Sequence, residues 1–285
     1  MVGDASTQRA YSDAVVTIVA RILADRLCGH RRPCLVGVSG LQGSGKSTLV
    51  AQLTDALSAS SVRTLAMSLD DFYFGRGERQ RLARTIHPLF ATRGVPGTHD
   101  LDLIAQTLDG LRDANAHRPA RVPRFDKGRD TRMRKSRWHV VCEPPQVILF
   151  EGWCVGVPAQ SEQTLRRPLN TLERDEDPDA RWRGRVNAEL RDGYAALWRR
   201  FDALMMLQAP NFEVVQRWRD EQEAALRRTG APRAMSPAQL HRFIMHYERL
   251  SRQALRTLPA RADVRIVLDA NRAVRRIVEQ AWGSA

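Results

Sequence analysis

Residues 40–48 constrain the fold of this chain more than any other segment. They read Gly-Leu-Gln-Gly-Ser-Gly-Lys-Ser-Thr, which fits the phosphate-loop pattern G-x-x-x-x-G-K-[ST] without a mismatch. The apolar run at 34–38 predicts a buried strand before the loop, and residues 49–53 predict the first turns of a helix after it. Glycines let backbone N–H groups approach phosphates, and a helix N-terminus carries partial positive charge. The segment therefore predicts an anion site between a strand and a helix.

Two side chains of this loop have predicted chemical roles. We expect Lys46 to reach the β- and γ-phosphates of a nucleotide as a catalytic group, and Ser47 to hold Mg²⁺. The flanking strand and helix signals disfavour the alternative, a chance match in an ordinary glycine turn. The candidate ATP-binding residues of the loop are Gly40, Leu41, Gln42, Gly43, Ser44, Gly45, Lys46, Ser47 and Thr48.

The length of 285 residues suits one elaborated α/β domain better than two domains. We expect a helical extension at 1–33 and a core at 34–285, in which 211–258 form a lid and the following helix. No apolar run approaches the ~18 residues of a membrane helix, and the N-terminus has no secretory pattern. The 4 cysteines show no C-x-x-C spacing, so we expect reduced thiols in a cytoplasmic protein.

The net charge of +13 raises the question of nucleic-acid binding. Only three of the 45 basic residues are lysines, and the arginines are spread along the whole chain instead of forming a tail. Anionic ligands such as ATP also favour a positive surface. We therefore expect a small-molecule partner, no membrane partner and no dedicated nucleic-acid role; the oligomeric state stays open.

Short apolar runs alternate with helical patterns along the chain, which predicts a parallel sheet covered on both faces. The five predicted strands are 35–38, 63–69, 147–150, 203–207 and 264–268. The predicted helices are 13–27, 49–57, 101–111, 179–199, 213–228 and 237–258. Two segments, 87–100 and 121–138, are predicted to be functional loops, because long loops in compact domains usually carry function or are disordered.

Two acids follow predicted strands at the edge where ligands of such sheets bind. Asp70 ends strand two, where a carboxylate can orient or deprotonate an attacking hydroxyl group. Glu151 ends strand three and offers the hard oxygen ligand that Mg²⁺ prefers. The alternatives are a solvated turn or helix cap for Asp70 and a solvent-facing carboxylate for Glu151.

Further polar residues are candidates for binding a small acidic acceptor, because arginine forks pair with carboxylates and phosphates. The candidate substrate-binding residues are Asp71, Tyr73, Arg93, His99, Asp126, Lys127 and Arg132. Arg217 and Arg219 begin a helix after strand four and could close over ATP as part of a lid. Their alternative is a surface helix with pairs such as Arg217–Glu221.

The order of these motifs resembles the phosphoribulokinase, uridine kinase and pantothenate kinase superfamily of P-loop kinases. The resemblance implies the strand order 2-3-1-4-5 and an aspartate base at Asp70. It also implies that Ser47 and Glu151 support Mg²⁺, and that Arg132 and His99 line the acceptor site.

A narrower resemblance is to the D-glycerate 3-kinases of the plant and fungal type and their bacterial relatives. Three phrases carry it: Ser-Leu-Asp-Asp-Phe-Tyr at 68–73, Arg-Gly-Val-Pro-Gly-Thr-His-Asp at 93–100 and Phe-Glu-Gly-Trp at 150–153. Phe-Asp-Lys at 125–127 is similar to that family's Tyr-Asp-Lys, but the segment after it, 128–132, is shorter than in the plant-type enzymes.

The resemblance implies phosphorylation of D-glycerate to 3-phosphoglycerate with ATP and Mg²⁺. Two alternatives stay open at the level of the sequence. One is a related kinase for a nucleoside, pantothenate or a sugar phosphate. The other is a nucleotide-switched protein that binds nucleic acid through its basic surface.

Overall fold

The computed structural model describes residues 10–27, 33–228 and 235–280. Its strands are β1 Cys34–Gly40, β2 Thr64–Ser68, β3 Ala120–Val122, β4 Phe125–Asp126, β5 Thr131–Arg132, β6 His139–Val141, β7 Val147–Gly152, β8 Ala203–Gln208, β9 Val264–Leu268 and β10 Val274–Glu279. Its α-helices are α1 Asp13–Leu27, α2 Lys46–Ala59, α3 Arg76–Thr85, α4 Leu101–Arg112, α5 Glu162–Leu165, α6 Thr171–Glu176, α7 Arg181–Glu189, α8 Ala195–Trp198, α9 Val214–Arg228 and α10 Pro237–Thr257.

A sheet of six strands forms the centre of the described chain, in the order β10-β9-β8-β1-β7-β2. The five predicted strands are β1, β2, β7, β8 and β9, and all their pairings are parallel. Counted one to five along the chain, they lie in the order 2-3-1-4-5. Strand β10 was not predicted; it pairs antiparallel with β9 at the sheet edge. The α/β class with a mainly parallel sheet is thus confirmed.

The middle of the sheet is buried from both sides. Every residue of β1 and β7 is buried, as their unbroken apolar patterns predict for parallel strands covered by helices. Helix α2 packs against β1, β2 and β7, and α1 packs on α2. None of the described helices is long and apolar enough to cross a membrane.

Several sequence predictions concern residues outside the described ranges. They are Cys28, parts of the predicted N-terminal extension (1–9 and 28–32) and residues 229–234 of the predicted lid. Among the described cysteines, Cys34 and Cys154 are buried, and Cys142 is exposed. The division of the chain into extension, core and lid stays a prediction.

The segment 121–138, predicted to be a loop, contains small antiparallel ladders. Strands β4 and β5 pair as a hairpin, and β6 pairs with β3, which begins just before the segment. The strands are only two or three residues long, too short for a periodic pattern to be visible in the sequence.

The predicted helix at 179–199 is also interrupted. It begins at Arg181 and passes through a π-helical turn, Leu190–Tyr194, before ending as α8. Such turns insert an extra residue and often lie at functional sites. Here the turn ends at Tyr194, whose side chain is fully buried.

Three aromatic side chains fasten the segment 93–99. Trp153 Nε1 donates to the Gly94 carbonyl at 2.9 Å, and the Tyr247 hydroxyl donates to the Arg93 carbonyl at 2.7 Å. The Gly97 N–H donates to the Tyr194 hydroxyl at 3.3 Å. These bonds tie two of the motif phrases together, since Trp153 belongs to Phe-Glu-Gly-Trp. The segment is consequently held against the core.

The hydrogen bonds that hold the segment 93–99 require a glycine at position 94. Its φ is +128°, and a Cβ there would overlap the Tyr247 hydroxyl. We predict that Gly94→Ala lowers the free energy of unfolding by at least about 2 kcal/mol, because backbone strain and overlap add. Chemical denaturation measures this. Gly77→Ala is the matched control, since a Cβ at Gly77 meets nothing within 4 Å. Equal stability of the two variants would contradict the prediction.

Candidate active site

The phosphate loop has the backbone that an anion cradle requires. Gly43 and Gly45 have φ values of +76° and +95°, which favour glycine. A Cβ on Gly43 would also lie 2.8 Å from Trp218 Cβ. Helix α2 begins at Lys46, directly after the second of these glycines. The loop therefore presents a helix N-terminus and successive N–H groups, a combination that binds phosphates.

Lys46 is buried at the base of this loop. Its Nζ donates to the Leu41 carbonyl at 3.1 Å. Burial lowers the pKa of Lys46, and the carboxylates of Glu151 and Asp70 oppose that shift. The two acids from neighbouring strand ends therefore act electrostatically on the lysine of the loop, so the structure brings these three predicted residues together.

Glu151 connects the phosphate loop to the next strand. Its Oε1 accepts hydrogen bonds from Ser47 Oγ and Ser68 Oγ, each at 2.9 Å. Parallel register sets this contact, because Glu151 lies beside Val38 of β1 and Ser68 of β2. A serine hydroxyl and a carboxylate, 2.9 Å apart, form the hard oxygen donor set that suits Mg²⁺.

Asp70 follows β2 in a short 3₁₀ turn, Leu69–Phe72. Its Oδ1 accepts from the Tyr73 hydroxyl at 2.7 Å, and its Oδ2 pairs with Lys127 Nζ at 3.0 Å. Burial by itself would raise the pKa of Asp70, but Lys127 and Tyr73 outweigh it and hold the pKa below its ordinary value. Asp70 is therefore ionised at neutral pH and can accept a hydrogen bond.

His99 lies against the same group. Its ring stacks on Tyr73 with centroids 4.6 Å apart, and its Nδ1 shares a hydrogen bond of 2.5 Å with the Tyr194 hydroxyl. Burial lowers the pKa of His99 to about 3, and the charge of Asp70 opposes the shift only in part. The imidazole is thus neutral, and its buried Nε2 has no partner among the described residues.

The two arginines that are predicted to bind the acceptor substrate, Arg132 and Arg93, have different surroundings. Arg132 donates to Asp100 at 3.1 Å and to the Tyr73 carbonyl at 3.2 Å, while its buried Nε has no partner in the described part of the chain. Arg93 pairs with Asp130 at 2.5 Å, an acid that also pairs with Arg79. One carboxylate thus faces two arginines, so Asp130 balances only part of their positive charge.

The two remaining predicted acids support the β4–β5 hairpin. Asp71 accepts from the Phe125 N–H at 3.0 Å and pairs with Arg124 at 3.4 Å. Burial raises the pKa of Asp71. Asp126 accepts from the Arg129 N–H at 2.9 Å within the hairpin turn. Both carboxylates therefore position the hairpin, and their predicted contact with substrate stays a prediction.

In this structure, the two predicted lid arginines bond other groups of the described chain. Arg217 donates to the Ala270 carbonyl, and Arg219 pairs with Glu223 at 2.8 Å. Glu221, the partner considered for Arg217, pairs instead with Arg272 at 2.6 Å. Their role in ATP binding stays a prediction; the buried Nε of Arg219 has no partner among the described residues.

Sequence reasoning missed residues that contact the loop from distant parts of the chain. The Tyr11 hydroxyl donates to the Ser44 carbonyl at 2.9 Å, and Arg272 Nε donates to the Gly43 carbonyl at 2.8 Å. No spacing or motif marks either residue, because their sequence separations from the loop are 33 and 229 positions.

Comparisons with known proteins agree with this geometry. No established family profile matches the chain. An uncharacterised kinase of Schizosaccharomyces pombe, mug58, is 31% identical over 243 residues, which cover 82% of this chain and 86% of the relative. The chain belongs to this family of P-loop kinases. It is a small-molecule kinase, as the sequence predicts.

Two further proteins are similar to this kinase. The chloroplastic D-glycerate 3-kinase of Arabidopsis thaliana is 32% identical over 223 residues, 75% of this chain but only 46% of that protein. A solved structure of D-glycerate 3-kinase from Cryptococcus neoformans has a TM-score of 0.77 at 24% identity, covering 94% of this chain and 100% of that one. The similarity to the Cryptococcus structure supports the α/β fold described above.

The pairing of Lys127 with Asp70 predicts a pH effect. An ordinary aspartate has a pKa of about 3.9. Since the pKa of Asp70 in the wild type lies below its ordinary value, Asp70 stays ionised throughout the range from about pH 5 to 8. In Lys127→Met, burial acts unopposed by the lysine and raises that pKa. We predict that, as the pH is lowered, the kcat of the variant begins to fall at a higher pH than the kcat of the wild type.

The measurement is kcat against pH at saturating substrates, with Lys135→Met as the control for loss of a lysine in the same region. Parallel pH profiles for Lys127→Met and wild type would show that Lys127 does not set the ionisation of Asp70.

Proposed function

We propose that this kinase transfers the γ-phosphoryl group of ATP to the 3-hydroxyl group of D-glycerate. One observation carries the proposal: Asp70 and Lys127 are ion-paired at 3.0 Å beside the phosphate loop. A carboxylate that can bind a hydroxyl group is thus next to a cation that can bind a carboxylate, the two groups that a small hydroxy acid carries. The resemblance to the Arabidopsis protein named D-glycerate 3-kinase supports the same substrate.

On the nucleotide side, the loop N–H groups and Lys46 would hold the β- and γ-phosphates. Ser47 Oγ and the Glu151 carboxylate would hold Mg²⁺, which neutralises phosphate charge when it is bound. The hydrogen bond between Ser47 and Glu151 holds these two oxygen ligands next to each other before the metal binds. Arg217 and Arg219 would contact ATP from the proposed lid, which would exclude water as a competing acceptor.

On the acceptor side, Asp70 would accept a hydrogen bond from the attacking hydroxyl and take its proton. A carboxylate of low pKa is a weak base, which suffices because phosphoryl transfer passes through a loose transition state in which orientation matters most. The Tyr73 hydroxyl bonds the other oxygen of Asp70 and fixes its direction. Burial raises the pKa of Tyr73, so this hydroxyl stays a donor.

The carboxylate of glycerate would lie against Lys127 and Arg132. The Nε of Arg132 is a buried donor with no partner among the described residues, and an unpaired buried donor costs free energy that a ligand oxygen would recover. The Nε2 of neutral His99, to which the described part of the chain offers no partner, can bond the remaining hydroxyl of glycerate. Arg93 shares the carboxylate of Asp130 with Arg79, and its predicted contact with substrate stays a prediction.

The substrate is tested by ADP release from MgATP with D-glycerate, L-glycerate, uridine, pantothenate and ribulose 5-phosphate as acceptors. We expect D-glycerate to give the highest kcat/KM, at least about tenfold above L-glycerate, because one misplaced hydroxyl costs a hydrogen bond. Greater turnover with uridine, pantothenate or ribulose 5-phosphate would contradict the proposal. The cytoplasmic location stays a prediction; the Arabidopsis relative is named chloroplastic.

Asp70→Asn keeps the shape of the side chain but cannot take a proton. We predict that kcat falls by about 10²-fold or more, while the Kd for MgATP changes less than about threefold. Steady-state kinetics and calorimetric titration with MgATP measure the two effects. Asp109→Asn, at an exposed acid of α4, is the control. A kcat near the wild-type value would remove Asp70 from the mechanism.

A further inference from the structure

The carbonyl groups of the phosphate loop need hydrogen-bond donors, just as its N–H groups need an anion. A loop that turns its N–H groups toward an anion turns carbonyls away from it, and those carbonyls need donors when they are buried. The Leu41 carbonyl accepts from the Ser44 N–H and from Lys46 Nζ, both at 3.1 Å and both within the loop. The carbonyls of Gly43 and Ser44 receive donors from outside it.

Tyr11 supplies the donor for Ser44. Its hydroxyl is 2.9 Å from the Ser44 carbonyl, and its side chain is only 9% exposed. The backbone N–H and C=O of Tyr11 both bond the Gln52 side chain on α2, each at 2.9 Å. Burial raises the pKa of Tyr11, so the hydroxyl remains a donor at physiological pH. The residue is therefore fixed to the helix that the loop begins.

Arg272 supplies the donor for Gly43, from the turn between β9 and β10. Its Nε lies 2.8 Å from the Gly43 carbonyl, and its guanidinium also pairs with Glu221 at 2.6 Å. The group lies over the Trp218 ring, 5.2 Å from its centroid. The Arg272 backbone has a φ of +66°, a conformation that is costly for arginine and is closed by a bond to the Asp269 carbonyl at 3.1 Å.

We propose that Tyr11 and Arg272 are positioning residues that hold the phosphate loop in its nucleotide-binding shape. Arg272 additionally couples the loop to α9, because one guanidinium contacts both Gly43 and Glu221. The inference rests on the proposed use of a nucleoside triphosphate, but it is independent of the acceptor. In this structure, each side chain acts on the loop through a backbone carbonyl.

A positioning role predicts a selective loss of nucleotide affinity. Tyr11→Phe removes one hydroxyl, and we expect the Kd for MgADP to rise about threefold to tenfold. In Arg272→Asn, asparagine tolerates the left-handed backbone but lacks the guanidinium, and the Kd should rise about tenfold or more. Arg272→Lys keeps the charge without the fork, so it should recover part of the affinity.

Calorimetric titration with MgADP measures these values, and thermal melting of the unliganded variants reports their folding. Steady-state kinetics should show a raised KM for ATP and an unchanged KM for the acceptor, a split that general destabilisation does not produce. Arg26→Ala is the control, because Arg26 forms an exposed pair with Glu279 that joins α1 to β10 away from the loop.

Three results would overturn the inference. Wild-type affinity for MgADP in Tyr11→Phe and Arg272→Asn would exclude the positioning role while leaving the proposed function intact. Equal losses in both KM values, together with a lowered melting temperature, would assign the two residues to general stability. A wild-type protein that binds no MgADP would overturn the proposed function together with this inference.

Discussion

The carboxylate of Glu151 is the contact on which the rest of the site depends. It accepts hydrogen bonds from the hydroxyl groups of Ser47, in the phosphate loop, and Ser68, at the end of β2. The start of α2 and the ends of β2 and β7 are thereby joined at one point, and the parallel register of β2 and β7 places Ser68 beside Glu151. The Ser68 hydroxyl in turn accepts the Asp70 N–H at 3.3 Å. The group that would hold metal and the group that would orient the acceptor therefore belong to one hydrogen-bonded chain.

Ion pairs position the residues that would bind the acceptor substrate near Glu151. The β4–β5 hairpin is attached through Asp71 and Asp130, and it places Lys127 on Asp70 and Arg132 on Asp100. A half-buried cation is tolerated when a carboxylate lies beside it. Much of the positive charge near the site is therefore compensated locally, and a small anion would compete for individual cations instead of meeting a uniformly basic surface.

The sequence could predict those features that depend on neighbouring residues. The strand, glycine loop and start of α2 follow from one continuous segment, and the placement of Asp70 and Glu151 follows from the rule that strand ends share an edge. Tyr11 and Arg272 could not be predicted, because only the folded chain brings them to the loop. The hairpin was missed because its strands are too short to show a period. Strand β10 was missed because its partly exposed Val-Arg-Arg-Ile-Val-Glu sequence lacks a buried apolar run.

A crystal structure with a non-hydrolysable ATP analogue, Mg²⁺ and D-glycerate is the most direct test of how the site works. We expect the 3-hydroxyl oxygen of glycerate within about 3.2 Å of an Asp70 carboxylate oxygen and in line with the γ-phosphate, with Ser47 and Glu151 on the metal side. An acceptor hydroxyl more than about 10 Å from Asp70, beyond the reach of direct proton transfer, would contradict the mechanism.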